Sequence, residues 1–408
     1  MQLTQQIKIR VTPAQEIVLS ALSEKCRLIY NFALKERKDA YQEGVRGISY
    51  IKQQNDLPKI KQKFSEYRWV YSKVLQYTLR TLDADFKSFF ALNKFGDKDA
   101  RPPKFKGKKF FTTMVYNQSG FKTEEGWMEL SHKHPLKTKL RFEIPEKFVF
   151  TRIYQVSIYK KDNEYFLSII YNKPELVFQD NKQYQAFDLG VMKHAAVNTI
   201  GKFKEFTLSR PDKYWQKPTA ELQSRRDHCK KFSRKWYTLT MLHNRCKKKS
   251  ANQLKDFQHK LSKKIIDNTK ANTIIIGDLS PKQMCKGEKY KKGLHRSLQN
   301  TGHIGRIVGF LTYKAKRAGK RIVEINERGT SKTCCVCANV QAMPLYKRDY
   351  VCECGNKMDR DRNSAINIML RYLSQNGLWT AYWQFVSNLR QTGLTIVSHS
   401  QEALTSTS

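Results

Sequence analysis

Apolar and polar positions follow two different periods along this chain, and the changes of period separate its parts. Residues 3–11 alternate at every second position, which predicts a strand. Thr12, Pro13 and Gln15 then predict a helix start, with Thr12 as N-cap and Gln15 closing a capping box. Apolar residues at helical spacing continue to about residue 92. This region therefore predicts a small helical domain.

A proline- and lysine-rich segment at residues 101–109 ends the helical pattern. Short alternating runs follow at 140–144, 154–158 and 165–170, and they predict a β-rich module. We expect the opening strand to belong to this module. Residues 174–180 are the expected linker to the next part of the chain.

From residue 183 onward the pattern predicts alternating strands and helices. The apolar run near residue 275 is typical of a parallel strand buried on both faces. A polar tail, from about residue 396 to the end, is expected to be flexible. In chain order, the predicted elements are a strand at 184–188, two strands around a turn at 200–202, a basic helical region from about 220 to 268, a strand at 273–277, a helix at 304–315 and a strand at 321–326.

The net charge of the chain says more about its partners than its overall composition does. The chain has 408 residues, 40% of them hydrophobic, which is enough for two or three domains with cores. It carries 76 basic and 36 acidic residues, a formal net charge of +40. Such self-repulsion favours a polyanionic partner, and nucleic acid fits best. Since no apolar run reaches the roughly 18–20 residues of a membrane span, and no signal peptide opens the chain, we expect no membrane partner and a cytoplasmic protein, associated with the nucleoid when it acts.

Four of the nine cysteines occur in two short-spaced pairs: Cys334 with Cys337, and Cys352 with Cys354. Four thiolates around one tetrahedral Zn²⁺ would order a loop too small to have its own core. The second pair is one residue shorter than the usual spacing, and Cys335 is expected to be a bystander. The alternative is that these are ordinary core cysteines.

Two aspartates are candidates for a second, catalytic metal site. Asp188 ends an apolar strand before Leu189 and Gly190, and Asp361 stands at the start of a helix. Each has a structural alternative, Asp188 as a turn residue and Asp361 as an N-cap. In an α/β arrangement beside a zinc ribbon they indicate carboxylate ligands for metal-assisted phosphodiester cleavage.

Basic residues are concentrated between residues 225 and 264, where few acids occur. Aromatic residues lie among them, which favours phosphate tracking along a duplex over a solvated helical face. The residues singled out as nucleic-acid contacts in this stretch are Arg225, Arg226, Lys230, Arg234 and Lys235.

The order of these parts resembles TnpB, a family of RNA-guided endonucleases carried by insertion sequences and related to type V CRISPR effectors. The resemblance spans nearly the whole chain, and its last two motifs are the most specific. The matching segments are 25–31 (KCRLIYN), 102–108 (PPKFKGK), 187–190 (FDLG), 311–315 (LTYKA), 330–334 (TSKTC) and 359–368 (DRDRNSAINI).

The resemblance implies an α/β RuvC-like (RNase H) nuclease domain with an inserted zinc ribbon, a β-barrel wedge domain and a helical recognition domain. It implies catalytic Mg²⁺, structural Zn²⁺, a guide RNA from the protein's own locus and a target DNA as partners, with a monomer favoured. Further nucleic-acid contacts are expected at Arg27, Asn31, Lys104, Lys106 and Lys108. The implied domain boundaries are 1–12 and 100–180 for the wedge, 13–99 for the recognition domain, 181–329 and 358–395 for the nuclease, 330–357 for the ribbon and 396–408 for the tail.

The family's nuclease site is Asp, Glu, Asp, and this chain departs from it at the middle position. The first and last map to Asp188 and Asp361, but the Glu position is Gly277. Some family members resemble this chain in pairing such a strand end with a downstream Glu-Arg-Gly-Thr-Ser. Because ligands gather at the carboxyl ends of adjacent strands, Glu327 is the expected replacement. Glu324, deeper in the strand, and Asp278, on the opposite face, are weaker candidates.

The sequence therefore predicts an RNA-guided DNA endonuclease of a mobile element, which cleaves next to a short flanking motif. The main alternative is a nuclease-dead, RNA-guided DNA-binding repressor. A strand-joining transposase lacks a recognisable terminal-repeat-binding domain, and a structural RNA-binding protein would leave both aspartate motifs unexplained.

Overall fold

The computed structural model describes residues 1–45, 47–97, 99–117, 119–278, 305–344 and 346–394. The chain divides into two compact units, the first Met1–Pro174 and the second beginning at Glu175. The expected linker at 174–180 contains this boundary. The predicted tail at 396–408, the start of the predicted helix at 304, and Cys285 lie outside the described residues.

In the first unit the opening strand pairs with the last one, as the sequence predicts. β1 (Gln2–Ile9) runs antiparallel to β7 (Glu164–Asn172), with Gln2 opposite Asn172. The sheet order is β1-β7-β6-β2, and a second antiparallel sheet has the order β3-β4-β5. The remaining strands are β2 (Met114–Asn117), β3 (Phe121–Glu124), β4 (Trp127–Leu130), β5 (Leu140–Glu143) and β6 (Arg152–Lys161).

The helical part of this unit begins where the capping box predicts. The Thr12 hydroxyl accepts from the Gln15 amide N–H, and the Gln15 side chain accepts from the Thr12 N–H. The Gln15 side-chain amide also donates to the carbonyls of Lys139 and Arg141, so the cap ties the helix to β5. The helices are α1 (Pro13–Gln42), α2 (Tyr50–Asn55), α3 (Leu57–Lys63) and α4 (Ser72–Lys94), with a 3₁₀ turn at Ser65–Trp69.

The second unit is built on a five-stranded sheet of order β10-β9-β8-β11-β12. β8, β9 and β10 are antiparallel neighbours, while β11 and β12 run parallel to β8. The carboxyl ends of β8, β11 and β12 therefore meet at one edge. The strands are β8 (Tyr184–Leu189), β9 (Lys193–Asn198), β10 (Phe203–Thr207), β11 (Thr273–Gly277) and β12 (Arg321–Ile325).

Helices cover both faces of this sheet, because its strands are apolar on both sides. Ile274 and Ile276 of β11 contribute to a core with α6 and α7, and Ile275 contributes to a core with α8 and α9. The helices are α5 (Pro211–Asp227), α6 (Arg234–Asn268), α7 (Gly305–Arg317), α8 (Arg360–Gln375) and α9 (Trp379–Gln391).

The prediction of one helical region at 220–268 is wrong in detail. Two helices form instead, because Pro211 starts α5 earlier and the chain turns between Asp227 and Arg234. Ser233 caps the second helix by accepting from the Trp236 N–H.

A short hairpin, β13 (Asp349–Val351) with β14 (Lys357–Asp359), leads into α8. Its small core contains Met343, Tyr350 and the paired cysteines. Within the described ranges, no helix has both the length and the apolar composition needed to cross a membrane.

Candidate active site and metal centre

Asp188 lies near the carboxyl end of the central strand β8. The chain turns back within a few residues into β9, and Gly190 makes this turn possible: a Cβ there would lie 2.6 Å from the Lys193 carbonyl oxygen. A role as a turn residue does not account for the surroundings of the Asp188 side chain. Its pKa is raised by the charges of two other carboxylates, Glu327 after β12 and Asp361 in α8.

Glu327 occupies the space above the missing side chain of Gly277. The two strands are in register at Gly277 and Ile325, and Glu327 follows two residues later. A Cβ built on Gly277 would lie 1.8 Å from Oε2 of Glu327 and 2.8 Å from its Cβ. A glutamate from the neighbouring strand therefore fills the position that a residue-277 side chain would take. Glu324 and Asp278, the two other candidates, are both exposed.

Asp361 is buried in the first turn of α8 and is not the N-cap. Asp359 caps the helix, its carboxylate accepting from the N–H groups of Asp361 and Arg362. The Asp361 carboxylate is thus left for other partners. Arg360 donates to it at 3.3 Å, and Arg348 lies 3.9 Å away. The N-cap alternative for Asp361 is therefore wrong.

Burial and neighbouring charges raise the proton affinity of two of the three carboxylates, Asp188 and Glu327. Burial, followed by the charges of Asp361 and Glu327, raises the pKa of Asp188 to about 8, against the opposing effects of Arg360 and a Ser364 hydrogen bond. Burial and the charge of Asp278 raise the pKa of Glu327 to about 7. Asp188 keeps some solvent contact, yet protein atoms enclose its carboxyl group. Burial and neighbouring negative charge make the ionised form of these carboxylates unfavourable. A bound divalent cation would offset that cost, so the site suits such an ion.

Oxygen donors from three elements meet the chemical requirement of Mg²⁺, which binds through a few carboxylates and keeps several waters. Asp188, Glu327 and Asp361 would hold it. Their spacing is wider than in a single-ion cage, since among the described residues only the cysteine set has all its ligand atoms within 4.8 Å. A site that holds two ions about 4 Å apart needs carboxylates at this wider spacing.

The four predicted cysteines form the tight cluster. Cys334, Cys337, Cys352 and Cys354 lie with all Sγ atoms within 4.8 Å of one another. The Cys334–Cys354 and Cys337–Cys352 sulfur separations are 3.7 and 3.6 Å. A tetrahedral site with Zn–S bonds of about 2.3 Å has sulfur separations of about 3.8 Å. The cluster therefore fits zinc, and the core-cysteine alternative fails.

The shortened second pair closes because the chain reverses sharply after it. Gly355 has φ +88, in the left-handed region that favours glycine. The Cys352 N–H donates to the Asn356 carbonyl at 2.9 Å. Cys335 lies outside the cluster, buried in the core of the second unit, as predicted for a bystander.

One face of α8 locks the loop that carries Glu327, a role that the sequence analysis missed. The side-chain amides of Asn363 and Asn367 both donate to the carbonyls of Thr330 and Thr333. Arg371 donates to the carbonyls of Asn326 and Arg328. The three donors are spaced four residues apart, so they lie on one helix face. Buried polar residues at that spacing in an apolar helix were the available signal.

A hydroxyl pair joins this loop to the first aspartate. Thr330 and Ser364 share a hydrogen bond of 2.9 Å, and Ser364 also hydrogen-bonds Asp188. Thr330 further donates to the Glu327 carbonyl at 2.9 Å. Asp188 and the loop of Glu327 are therefore linked through hydroxyl groups to α8, the helix that carries Asp361.

The predicted nucleic-acid contacts fall into two groups. Arg27 is buried, donating to Glu24 and to the Lys106 carbonyl, and Asn31 exchanges two hydrogen bonds with the Lys106 backbone. Their polar atoms thus hold the 101–109 segment, and binding of nucleic acid by them stays a prediction. Lys106 itself sits 3.7 Å from the Tyr30 ring. The exposed or partly exposed candidates are Lys104, Lys108, Arg225, Arg226, Lys230, Arg234 and Lys235.

Removing one ligand of the cysteine cluster should abolish zinc binding. We expect Cys352→Ser to lose the zinc ion of the purified protein and to unfold at a lower temperature, because the ribbon has almost no core of its own. Cys335→Ala is the matched control, since Cys335 is outside the cluster, and should keep the ion. Zinc per chain, measured by plasma mass spectrometry, checks this; zinc retained by the Cys352 variant would contradict it.

The raised carboxylate pKa values predict a stability gain on neutralisation. When the pKa of an acid is higher in the folded than in the unfolded protein, ionisation of that acid favours unfolding. Asp188 therefore lowers the stability of the fold most above about pH 8, where it is charged in both states. Without divalent cations, Asp188→Asn should therefore raise Tm at about pH 9 by roughly 2 °C or more, with the gain vanishing towards about pH 4. Thermal melts in chelator check this, and exposed Glu324→Gln is the control. An unchanged or lowered Tm at high pH would refute it.

The α8 face should be needed for both stability and site geometry. Asn367→Ala leaves two loop carbonyls with one donor fewer, costing about 1–3 kcal/mol of unfolding free energy. Denaturant unfolding measures this, with Gln375→Ala at the exposed end of the same helix as control. Zinc content should stay unchanged, because the amide touches no cysteine. Equal stability of the two variants would count against the locking role.

Three family profiles match separate parts of the chain. A profile described as a helix-turn-helix domain matches residues 1–46, which here form β1 and α1. One described as a probable transposase, of the IS605 OrfB type, matches residues 169–287. One described as a Cas12f1-like TNB domain matches residues 305–368, which include the cysteine cluster and Asp361.

Similar proteins span most of the chain. A Streptomyces pristinaespiralis protein named "Putative RNA-guided DNA endonuclease" is 27% identical over 368 residues, covering 88% of this chain and 86% of that protein. The Escherichia coli K12 protein InsQ, named in the same way, is 23% identical over 394 residues and covers 90% and 91%. A mimivirus TnpB-like protein is 32% identical over 121 residues, 29% of this chain and 22% of its own length.

The fold has a counterpart among solved structures. The chain superposes on a protein from the cryo-EM structure of a Cas12f1–sgRNA–target DNA complex with a TM-score of 0.57, at 15% identity, covering 87% of this chain and 82% of that one. The profiles and the full-length relatives confirm the resemblance found in the sequence. The chain is therefore similar over most of its length to proteins named as putative RNA-guided DNA endonucleases, over a shorter stretch to a TnpB-like protein, and in fold to the protein of the Cas12f1 complex.

Proposed function

We propose that this protein is an RNA-guided DNA endonuclease whose nuclease site is Asp188, Glu327 and Asp361. The observation that carries the proposal is Glu327 filling the space above Gly277, which supplies a third carboxylate where the family position has none. The named functions of the full-length relatives, and the strand order of the five-stranded sheet, support the same assignment. We assign the second unit as the RuvC-like nuclease.

The residues of the site divide the work between binding and positioning. When bound, Mg²⁺ supplies water activation and stabilisation of the leaving oxygen. Asp188 lies at the end of β8, and Glu327 follows the end of β12 and reaches over Gly277 of β11, the strand between them. Asp361 approaches from α8, so a scissile phosphate can be held from the open edge of the sheet. Ser364 orients Asp188, and the Asn363–Asn367–Arg371 face fixes the loop that bears Glu327. Arg360 offsets part of the site's negative charge at Asp361.

Sequence choice in this proposal is delegated to a guide RNA from the protein's own locus, which pairs with one DNA strand. The first unit, with its proposed wedge and helical recognition regions, would read the short flanking motif. The cysteine cluster would hold structural zinc and steer substrate strands. The half-buried Glu327 beside Gly277 favours the nuclease over a nuclease-dead repressor, because it supplies the third carboxylate that a dead site would lack.

Cleavage by two glutamate variants tests the proposal. The protein is purified with RNA expressed from its own locus and given a plasmid library with randomised flanks and Mg²⁺. Cleavage beside one enriched flank is expected. Glu327→Gln should slow it at least ~100-fold, a loss of about 2.7 kcal/mol of transition-state stabilisation. Glu324→Gln, an exposed glutamate on the same strand, should cleave like the native protein. Target binding without any cleavage by the native protein would refute the proposal.

Moving the carboxylate from position 327 to position 277 tests whether Glu327 replaces the glutamate that the family has at position 277. Gly277→Glu alone should be poorly active, because its Cβ would collide with the Glu327 side chain. Gly277→Glu combined with Glu327→Ala places a carboxylate in the family position and frees the space. We expect the double variant to cleave at least ~10-fold faster than Glu327→Ala alone, as mutually dependent neighbours do not act additively. A double variant no faster than Glu327→Ala would mean that the two positions are not equivalent.

A further inference from the structure

The α5–α6 hairpin carries an aromatic cluster at its turn that no part of the nuclease site uses. The chain reverses between Asp227 and Arg234. Phe232 contacts Trp236 and Tyr237 with ring centroids 5.5 and 6.3 Å apart, and the latter two are 5.3 Å apart. We call these three residues the tip cluster.

Among the described residues, the tip cluster contributes to none of the hydrophobic cores. Phe232 is 71% exposed and Tyr237 51% exposed. Phe232 also has φ +66, a left-handed conformation that side-chain-bearing residues rarely adopt and that glycine would take without strain. A large ring is therefore displayed at a turn where folding alone would favour a smaller residue.

Unpaired cations surround the tip cluster. Arg226 pairs with Asp227 at 2.7 Å, but within the described ranges no ion pair is found for the other basic side chains of the turn. This concentration of positive charge beside three rings is complementary to the two parts of a nucleotide, the phosphate and the base. The cations without an acidic partner are Arg225, Lys230, Lys231, Arg234 and Lys235.

The hairpin is built to hold the tip away from the sheet. α6 has 35 residues, about 50 Å of helix, and its far half packs into the core through Leu261, Ile265 and Ile266. Trp215 of α5 donates to Gln253 of α6 at 2.7 Å, which joins the two helices near that anchored end. The tip is thus a fixed, projecting platform.

We propose that the tip cluster is an RNA-binding site that stacks an unpaired base, while the neighbouring cations neutralise the flanking phosphates. A continuous duplex hides the faces of its bases, so phosphate tracking alone would leave these rings unused. Folded RNAs present unstacked bases in loops and bulges, and aromatic side chains take them by stacking. The proposal rests on the proposed function only in taking RNA as the partner.

The test uses the full-length protein with two RNA probes. One is a stem-loop with 2-aminopurine in its loop, and the other is a fully paired RNA duplex with the same number of phosphates. Phe232→Gly removes the ring while suiting the left-handed backbone, so the variant should fold at least as well as the native protein. Tyr214→Ala, which removes a 73%-exposed ring elsewhere on α5, is the matched control. A Lys230→Gln/Lys231→Gln variant tests the cations.

Stacking predicts a selective loss. Phe232→Gly should bind the stem-loop about tenfold more weakly, with loss of 2-aminopurine quenching, and should bind the duplex as before. The lysine variant should weaken both probes and lower the slope of log affinity against log salt by about two. Tyr214→Ala should change neither. Equal effects of Phe232→Gly on both probes, or none on either, would overturn the proposal.

Two further arms distinguish other partners. Tighter binding of the matched DNA stem-loop than of the RNA would assign the tip to a DNA strand and overturn the RNA assignment. Tryptophan fluorescence that shifts on phosphatidylserine vesicles, with no RNA stacking, would assign it to a membrane. All arms run in the Asp188→Asn background without Mg²⁺. Failure of the nuclease proposal therefore leaves these readouts intact, and failure of stacking leaves cleavage intact.

Discussion

The gathering of carboxylates at the carboxyl ends of strands in the five-stranded sheet is the constraint on which the site of the second unit depends. Burial and neighbouring charge raise the pKa of Asp188 to about 8 and that of Glu327 to about 7, so these two side chains lower the stability of the fold when they are charged. Packing on both faces of the sheet supplies the rigidity. The helix that brings Asp361 also supplies the donors that hold the loop of Glu327.

The shared use of α8 connects the carboxylate site with the cysteine cluster. Its N-terminus follows the ribbon hairpin directly, and Asn363 accepts from the Cys335 N–H while donating to the Thr330 and Thr333 carbonyls. The cysteine cluster thus orders the chain on one side of the Glu327 loop, and α8 orders the other. A ribbon with a core of only a few side chains can remain fixed because this helix carries it.

The chain is strongly basic, but its carboxylate site is acidic. The carboxylate site is a small negative centre in a chain of net charge +40, while the turn of the α5–α6 hairpin and the 101–109 segment are rich in exposed cations. Long-range attraction of a polyanion can therefore coexist with local affinity for a divalent cation, because a buried site responds mainly to its near neighbours. Arg27 and Asn31 show the opposite case, where residues of a matching motif serve the fold by holding the Lys106 backbone.

Much of this protein follows from local sequence chemistry. The capping box at Thr12, the opening strand, the buried run of β11 and the four cysteines each depend on spacing along the chain, which sets short-range bonding directly. The helical hairpin was less predictable, because a turn of ordinary polar residues interrupts a pattern that is basic throughout. The roles of Asn363 and Asn367 could not be predicted, because the carbonyls to which their amides donate lie 30 or more residues away in the chain.

The identity of the carboxylate beside Gly277 follows from the fold. The order of residues shows that a glycine ends this strand and that three acids, Glu324, Glu327 and Asp278, are available to replace its side chain. The choice among them depends on the register of β11 with β12 and on the direction of side chains past the strand end. That register places Glu327 across the glycine and leaves the other two exposed, because only one side chain can fill the volume that a missing Cβ leaves open.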